Sequence, residues 1–275
     1  MSKTTLLTAA ALLCLGGRTL AQNTPTENND NADAPFVRNI RPDRLGQTIT
    51  AHVLAPGQFQ VEAGTSRLSP TGSPAYTLSN ATLRIGFFSS MELRVTQAHR
   101  TGTAGLARPG ETPGAAVQPG GLAPLLVGAK LMLSPNPDTR TQVAALLETT
   151  VPGTGQQAGA GWAPAARLLV GQQLGQHFGL EGNFGFAQPG ITAQDLKRGQ
   201  FMGALNLNGP LSSRTGFVVE AYGQGRAAIN TGTTAGLYWR PVPGLRLDVN
   251  AGRVLGGPAA GSGTVGAGVA FRVGE

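Results

Sequence analysis

The sequence is poor in the residues that disulfide-bonded or thiol-dependent proteins need, since its 275 residues include one cysteine, Cys14. Cys14 lies in an apolar stretch, and Leu13 before it lacks the small side chain that a lipoprotein signal requires there. We therefore expect no lipid anchor, no disulfide and no cysteine metal site. Charged residues are also sparse, at 13%, and hydrophobic residues reach 40%, a balance that excludes an intrinsically disordered chain.

No apolar run is long enough for a membrane-spanning helix, which needs about 20 consecutive residues. The longest run, residues 4–17, follows the basic Lys3 and precedes small residues around Ala21, which is the pattern of a cleavable signal peptide. These features predict a signal peptide at residues 1–21 and export of the chain, and they exclude a helical inner-membrane protein. Residues 23–34 are rich in Asn, Thr, Glu, Asp and Pro, a composition that predicts a flexible linker.

The formal net charge of +7 raises the question of nucleic-acid binding. The arginines are scattered along the sequence, without a basic cluster or a recognisable nucleic-acid motif. We therefore expect no nucleic-acid partner.

From Gln58 onward, apolar and polar residues alternate with the period of a β-strand. In the first such segment, Phe59 and Val61 fall on one face, and Gln60 and Glu62 fall on the other. The pattern recurs to the C-terminus and predicts about twelve strands of roughly nine to eleven residues, the length of a tilted strand that crosses a bilayer. An even number of strands closes an up-and-down antiparallel β-barrel with both ends on the periplasmic side. The expected fold is an all-β transmembrane barrel over residues 58–275, preceded by a linker and pre-barrel segment at residues 22–57.

Charged residues avoid the apolar face of these strands, as a membrane barrel requires, because a lipid-facing Lys or Arg at the midplane costs about 2–4 kcal/mol. Those that we predict to line the lumen are Glu62, Arg84, Arg94, Lys130, Glu148, Arg167, Glu181, Glu220, Arg246 and Asp248. Three arginines instead fall near the positions that the apolar residues occupy, at predicted outer strand ends: Arg67, Arg100 and Arg253. There they either bind lipopolysaccharide phosphates or are simply solvated.

The predicted connections alternate between short turns and longer loops, with the longest loop at residues 101–121. Short periplasmic turns and longer outer loops are typical of outer-membrane barrels. A soluble β-sandwich also has alternating strands, but it has no reason to alternate its connections in this way.

The segment before the first strand carries a resemblance to a known family. Arg41-Pro42-Asp43, then Pro56-Gly57 and the aromatic-Gln-x-Glu-x-Gly strand that begins at Phe59, resemble the start of the outer-membrane transporters of the phenol-degradation (meta-pathway) family. The resemblance implies an outer-membrane barrel with a transport role. Two placements of Arg41 and Asp43 remain open: inside the lumen, paired with wall charges such as Glu62 or Arg84, or in a periplasmic tail.

The sequence does not contain a recognisable catalytic, cofactor or metal site. The three histidines, His52, His99 and His177, fall on separate segments, and a Gly-x-Ser-x-Gly elbow is absent. Glycine-rich stretches lack the Lys-Ser/Thr ending of a phosphate-binding loop. We therefore expect a protein that is not an enzyme and that uses no cofactor.

Two functions remain open at this point. The first is a channel or transporter for a small solute, such as a hydrophobic or aromatic one, which is filtered by the charges of the lumen. The alternative is a structural or surface-interaction barrel whose lumen is filled by side chains. In both cases the expected partners are outer-membrane lipid with lipopolysaccharide and the barrel-assembly machinery.

Overall fold

The computed structural model describes residues 40–44, 46–101, 120–134, 140–156 and 161–273. The predicted signal peptide, its cleavage site after Ala21, and most of the long loop at residues 101–121 lie outside the described residues. The signal peptide therefore stays a prediction.

Within the described residues the chain forms twelve long strands and one strand of two residues. The strands are β1 (Phe59–Ser69), β2 (Tyr76–Phe88), β3 (Met91–Thr101), β4 (Gly121–Leu122), β5 (Leu125–Met132), β6 (Thr141–Val151), β7 (Ala165–Leu174), β8 (Phe178–Ala187), β9 (Gln200–Pro210), β10 (Thr215–Gly225), β11 (Ile229–Trp239), β12 (Leu245–Gly256) and β13 (Gly263–Val273). A single helical turn, Ala193–Leu196, lies between β8 and β9. The predicted all-β fold of about twelve membrane-crossing strands is confirmed.

The sheet closes on itself, because each long strand pairs antiparallel with its neighbour in the sequence and β13 pairs with β1. Phe59 is opposite Val273 at one end of this closing pair, and Ser69 is opposite Gly263 at the other. The short β4 extends the edge of β3 beyond β5. A closed barrel leaves no unpaired strand edge in the hydrocarbon, which is why strands can cross a bilayer in this form. Among the described residues, helices of the length and apolarity needed to cross a membrane are absent.

The two faces of the wall differ in chemistry, as the alternating pattern predicts. On β10, Val219 points outward and is 48% exposed, whereas Glu220 beside it points inward and is 1% exposed. Arg84 on β2 and Lys130 on β5 are likewise buried on the inner face. The barrel therefore presents apolar side chains to lipid and keeps its charged side chains inside.

The two ends of the barrel also differ. One end has short connections at residues 89–90, 133–140, 175–177, 211–214 and 240–244, and the other has generally longer ones. Exposed aromatic residues ring the short-turn end, where they suit the boundary between lipid and water; they are Phe59, Phe88, Phe178, Trp239 and Phe271. The first strand begins at this end, at Phe59, and the last strand finishes at it, at Val273. We call it the inner end, and the opposite end the outer end.

The lipid-facing assignment predicts that a charge on the outer wall destabilises the barrel according to its depth. Val219→Arg places a cation near the middle of β10 and should lower the free energy of unfolding by about 2–4 kcal/mol. Leu211→Arg, in the turn after β9, should cost about 0–1 kcal/mol. Denaturant unfolding in phospholipid vesicles measures both values, and equal costs at the two positions would contradict the assignment.

Candidate functional site

The lumen of the barrel is occupied by the chain that precedes the first strand, residues 40–44 and 46–57, which we call the inner segment. Its apolar side chains Ile40, Ala51 and Leu54 are buried. Ile49 and Ala51 belong to a buried apolar cluster, whose wall members are Ala144, Leu146 and Leu169. The pre-barrel residues are therefore packed inside the lumen and are not a solvated tail.

Asp43 is the ionic centre of the inner segment. One carboxylate oxygen, Oδ2, lies 2.9 Å from Lys130 Nζ and 3.5 Å from an Arg84 nitrogen, and it also contacts Arg94. The other oxygen, Oδ1, accepts hydrogen bonds from the backbone N–H and the hydroxyl of Thr50, at 2.9 and 2.8 Å. Three cations from β2, β3 and β5 thus converge on a single acid of the inner segment.

Arg84 joins Asp43 to the acids of the wall. Its guanidinium donates to both oxygens of Glu92, each at 2.7 Å, which is the bidentate geometry that makes arginine–carboxylate pairs strong. It also donates to Glu62 at 3.0 Å and to the backbone carbonyls of Arg41 and His52. All three nitrogens of this guanidinium therefore donate hydrogen bonds to the inner segment or to the wall.

A second contact lies on the opposite part of the wall. The Glu220 carboxylate accepts the backbone N–H groups of Gln47 and Thr48 at 2.9 and 2.6 Å. The Asn183 amide accepts the N–H of Ile49 at 2.6 Å and donates to its carbonyl at 2.8 Å. Irregular backbone at membrane depth needs such partners, because unpaired buried peptide groups are costly. Side chains of the wall supply them.

The surroundings fix the charge states of the inner segment. Burial alone would raise the pKa of the Asp43 carboxyl, but Arg84, Lys130 and Arg94 hold it well below its usual range, so Asp43 stays an anion. Burial lowers the pKa of His52 to about 3, and the nearby cations Arg41, Arg84 and Lys130 act in the same direction. His52 is thus neutral.

The structure brings five of the ten predicted lumen residues together around Asp43. These five are Glu62, Arg84, Arg94, Lys130 and Glu148. The other five lie elsewhere on the inner face: Arg167 3.9 Å from Glu148, Glu220 under Thr48, Asp248 beside Arg44, Arg246 over the Tyr238 ring, and Glu181 buried on β8. Of the pre-barrel motif, Arg41 contributes its backbone carbonyl, Pro42 is buried and Asp43 contributes its carboxylate. Whether these residues line a conducting path stays a prediction.

Several residues of the site were not among those that the sequence singled out. Glu92 shares the inward parity of Arg94 and could have been found by that signal. Arg44 and Thr50 carry no periodic signal, because they lie before the strands. The placement of Arg100 near the apolar face was wrong. Arg100 points to the same face as Arg94, is buried there, and lies 5.2 Å from the centre of the Tyr76 ring. Arg67 and Arg253 are exposed.

A cavity of about 320 Å³ lies between the inner segment and the outer end of the barrel. Its floor is formed by Asp43, Arg44, Gly46, Gln47 and Ile49 of the inner segment, and its walls near the outer loops include Ser66, Asn230 and Ser262. We call this cavity the vestibule. Its walls mix tyrosine, leucine, amide and arginine side chains, so it offers both apolar and polar contacts to a small molecule.

The described part of the chain lacks any group of three His, Cys, Asp or Glu residues that could hold a metal ion. His99 and His177 are exposed and lie on separate segments, while His52 is half-buried in the inner segment.

Removal of the Asp43 charge should weaken the attachment of the inner segment. In Asp43→Asn, Arg84, Arg94 and Lys130 keep their positive charges without the central anion, and loss of one member of a buried ionic group costs about 3–5 kcal/mol. Denaturant unfolding in vesicles measures the loss. Asp195→Asn, an exposed acid of an outer loop, is the control and should change stability far less. Equal effects would show that Asp43 does not hold the segment.

Comparisons with solved structures identify barrels of the same fold. An outer membrane channel from Pseudomonas putida F1 superimposes with a TM-score of 0.61 at 11% identity, over 86% of this chain and 100% of the other. The NanC porin gives a TM-score of 0.55 at 8% identity, over 78% and 100% of the two chains. The KdgM porin gives 0.53 at 8% identity, over 76% and 98%. No match was found among curated proteins.

The sequence itself matches a family described as "Putative MetA-pathway of phenol degradation" over residues 42–273. The match begins within the inner segment and continues to the last residue of β13, so it includes both Asp43 and the wall that binds it. The resemblance predicted from the pre-barrel motif is confirmed, and so is the location. The chain belongs to this phenol-degradation family and is a β-barrel of the outer membrane.

Proposed function

We propose that the protein is a channel that passes a small hydrophobic or aromatic solute across the outer membrane. The observation that carries the proposal is the vestibule, which lies at the outer end and is large enough for a molecule with one ring. Its volume of about 320 Å³ falls at the lower end of the range of small-molecule sites, roughly 300–1,000 Å³. Leu68, Leu126, Tyr76 and Tyr222 give it apolar contacts. The family's description points to the same class of solute.

A solute that enters the vestibule meets the inner segment, so passage requires this segment to move. Its backbone is bonded to side chains such as Glu220 and Asn183, and in the described residues it joins a strand ladder with the wall only at its end, where Gly57 donates to Gly86. Displacement of the inner segment therefore leaves the backbone hydrogen bonds between the strands of the barrel intact. The inner segment has the properties of a gate attached at Gln58.

The competing function is a filled structural barrel that never opens. The buried ionic group around Asp43 favours it, because separation of these charges leaves several of them unpaired in a water-poor site. The two functions differ in one respect only, which is whether the inner segment leaves the lumen.

We propose a transport role without enzymatic activity. The solved structures that share this fold with a TM-score above 0.5 are named as porins and a channel. As for partners, we propose that the barrel-assembly machinery inserts the chain and that the exposed Arg67 contacts lipopolysaccharide phosphates.

A disulfide between the inner segment and the wall decides between the two functions. A Cβ at Gly171 on β7 would lie 3.6 Å from the Cβ of Ala51, within the range of about 3.5–4.5 Å that disulfides need. In the double variant Ala51→Cys/Gly171→Cys, oxidation should abolish conductance in planar bilayers, and reduction should restore it. Cys14, the only native cysteine, lies in the predicted signal peptide and does not interfere.

The two single-cysteine variants are the controls and should conduct under both conditions. Conductance that persists after complete oxidation would show that solutes pass without movement of the inner segment. Folded, reduced protein that never conducts would establish the filled barrel.

A further inference from the structure

The charged side chains that line the vestibule are not balanced. They comprise three arginines and two acids, namely Arg44, Arg94, Arg167, Asp43 and Glu148. Both acids are already engaged: Asp43 faces Arg84, Arg94 and Lys130, and Glu148 lies 3.6 Å from Arg94 and 3.9 Å from Arg167. These two acids leave the charge of Arg44 uncompensated among the lining residues, and Asp248, which is not part of the lining, lies 3.3 Å from one Arg44 nitrogen. Low-dielectric walls strengthen the effect of the Arg44 charge on a bound solute.

Arg44 is held against the wall in a site that only glycine permits. Its guanidinium lies over Gly64 on β1 and Gly268 on β13, which are opposite each other in the β1–β13 register. A Cβ at either position would overlap the guanidinium. One nitrogen donates to Asp248 Oδ1 and to the Ala267 carbonyl, both at 3.3 Å. The wall thus fixes an arginine of the inner segment at the edge of the vestibule.

The donors of these arginines exceed their acceptors. The Arg44 side chain is only 9% exposed, yet its Nε and one terminal nitrogen have no acceptor among the described residues. The same holds for Nε of Arg94 and of Arg167, which line the vestibule from β3 and β7. Buried N–H groups without acceptors are rare and costly, so such a group of them needs a physical reason. A carboxylate provides several acceptor sites and a negative charge at once.

From this arrangement we propose that the vestibule is a binding site for a small organic anion, in which Arg44 binds the carboxylate of a molecule with one ring. Arg94 and Arg167 add positive potential from the facing wall, and the tyrosines and leucines contact the ring. The inference rests on the proposed channel function in that it names the class of solute, a carboxylate rather than a neutral compound. Arg44 also belongs to the inner segment, so the bound anion contacts the proposed gate directly.

The test is equilibrium binding of benzoate to the purified, folded full-length barrel in detergent, measured by titration calorimetry. Benzyl alcohol and benzylamine, a neutral and a cationic molecule with the same ring, are the comparison ligands. Benzoate should bind at least about tenfold more tightly than either, since a charge-assisted hydrogen bond to arginine contributes roughly this factor or more. Equal binding of the three ligands overturns the proposal.

Two variants assign the binding to Arg44. Arg44→Gln should weaken benzoate binding about tenfold, and Gly64→Ala should do the same without a change of charge, because its Cβ displaces the guanidinium. Arg67→Gln, an exposed arginine of the same strand β1, is the matched control and should bind benzoate as the wild type does. Heat-modifiable migration on a denaturing gel verifies that each variant is folded. If Arg44→Gln binds benzoate as tightly as Arg67→Gln does, the site is not at Arg44.

Binding in detergent does not depend on conduction, so the two proposals fail separately. A barrel that never conducts but binds benzoate through Arg44 would refute the channel and keep the anion site. A barrel that conducts but binds benzoate no more tightly than benzyl alcohol or benzylamine would refute the anion site alone.

Discussion

The structure depends on the pairing of one acid of the inner segment with three cations of the wall. Arg84, Arg94 and Lys130 lie on neighbouring strands and are buried on the inner face. Glu62 and Glu92 neutralise part of this charge, and Asp43 supplies the rest from outside the wall. Because a buried charge without a partner costs several kcal/mol, the wall and the inner segment stabilise each other. The barrel is complete only with the inner segment in its lumen.

Because the inner segment lies in the lumen, the lumen has a packed part at the inner end and an open part at the outer end. At the inner end, the inner segment packs apolar residues such as Ile49 and Ala51 against β6 and β7. Towards the outer end the same segment leaves the vestibule open, with Arg44 at its edge. Side-chain acceptors on the wall hold most of the segment, so its attachment is strong in total but separable from the strand ladder. A gate needs this combination, and a purely structural filling does not.

The sequence predicted the fold well because strand periodicity reports which way a side chain points. The inward positions of Arg84, Lys130 and Glu220 follow from that parity alone. Arg100 was assigned to the wrong face because it lies at the outer end of a strand, where no apolar neighbour marks the outward face. Periodicity could not decide where Asp43 lies, since its partner Lys130 is 87 residues away and the inner segment has no strand pattern. The two placements of the pre-barrel motif were therefore left open by the sequence and resolved by side-chain geometry.

The central claim is that the inner segment lies inside the lumen, held by Asp43, Glu220 and Asn183. Hydrogen–deuterium exchange of the barrel in phospholipid vesicles tests it most directly, at the backbone amides of Gln47, Thr48 and Ile49. The account predicts that these three amides, which are bonded to wall side chains, exchange far more slowly than those of an unstructured chain. Exchange at the rate of an unstructured tail would contradict it.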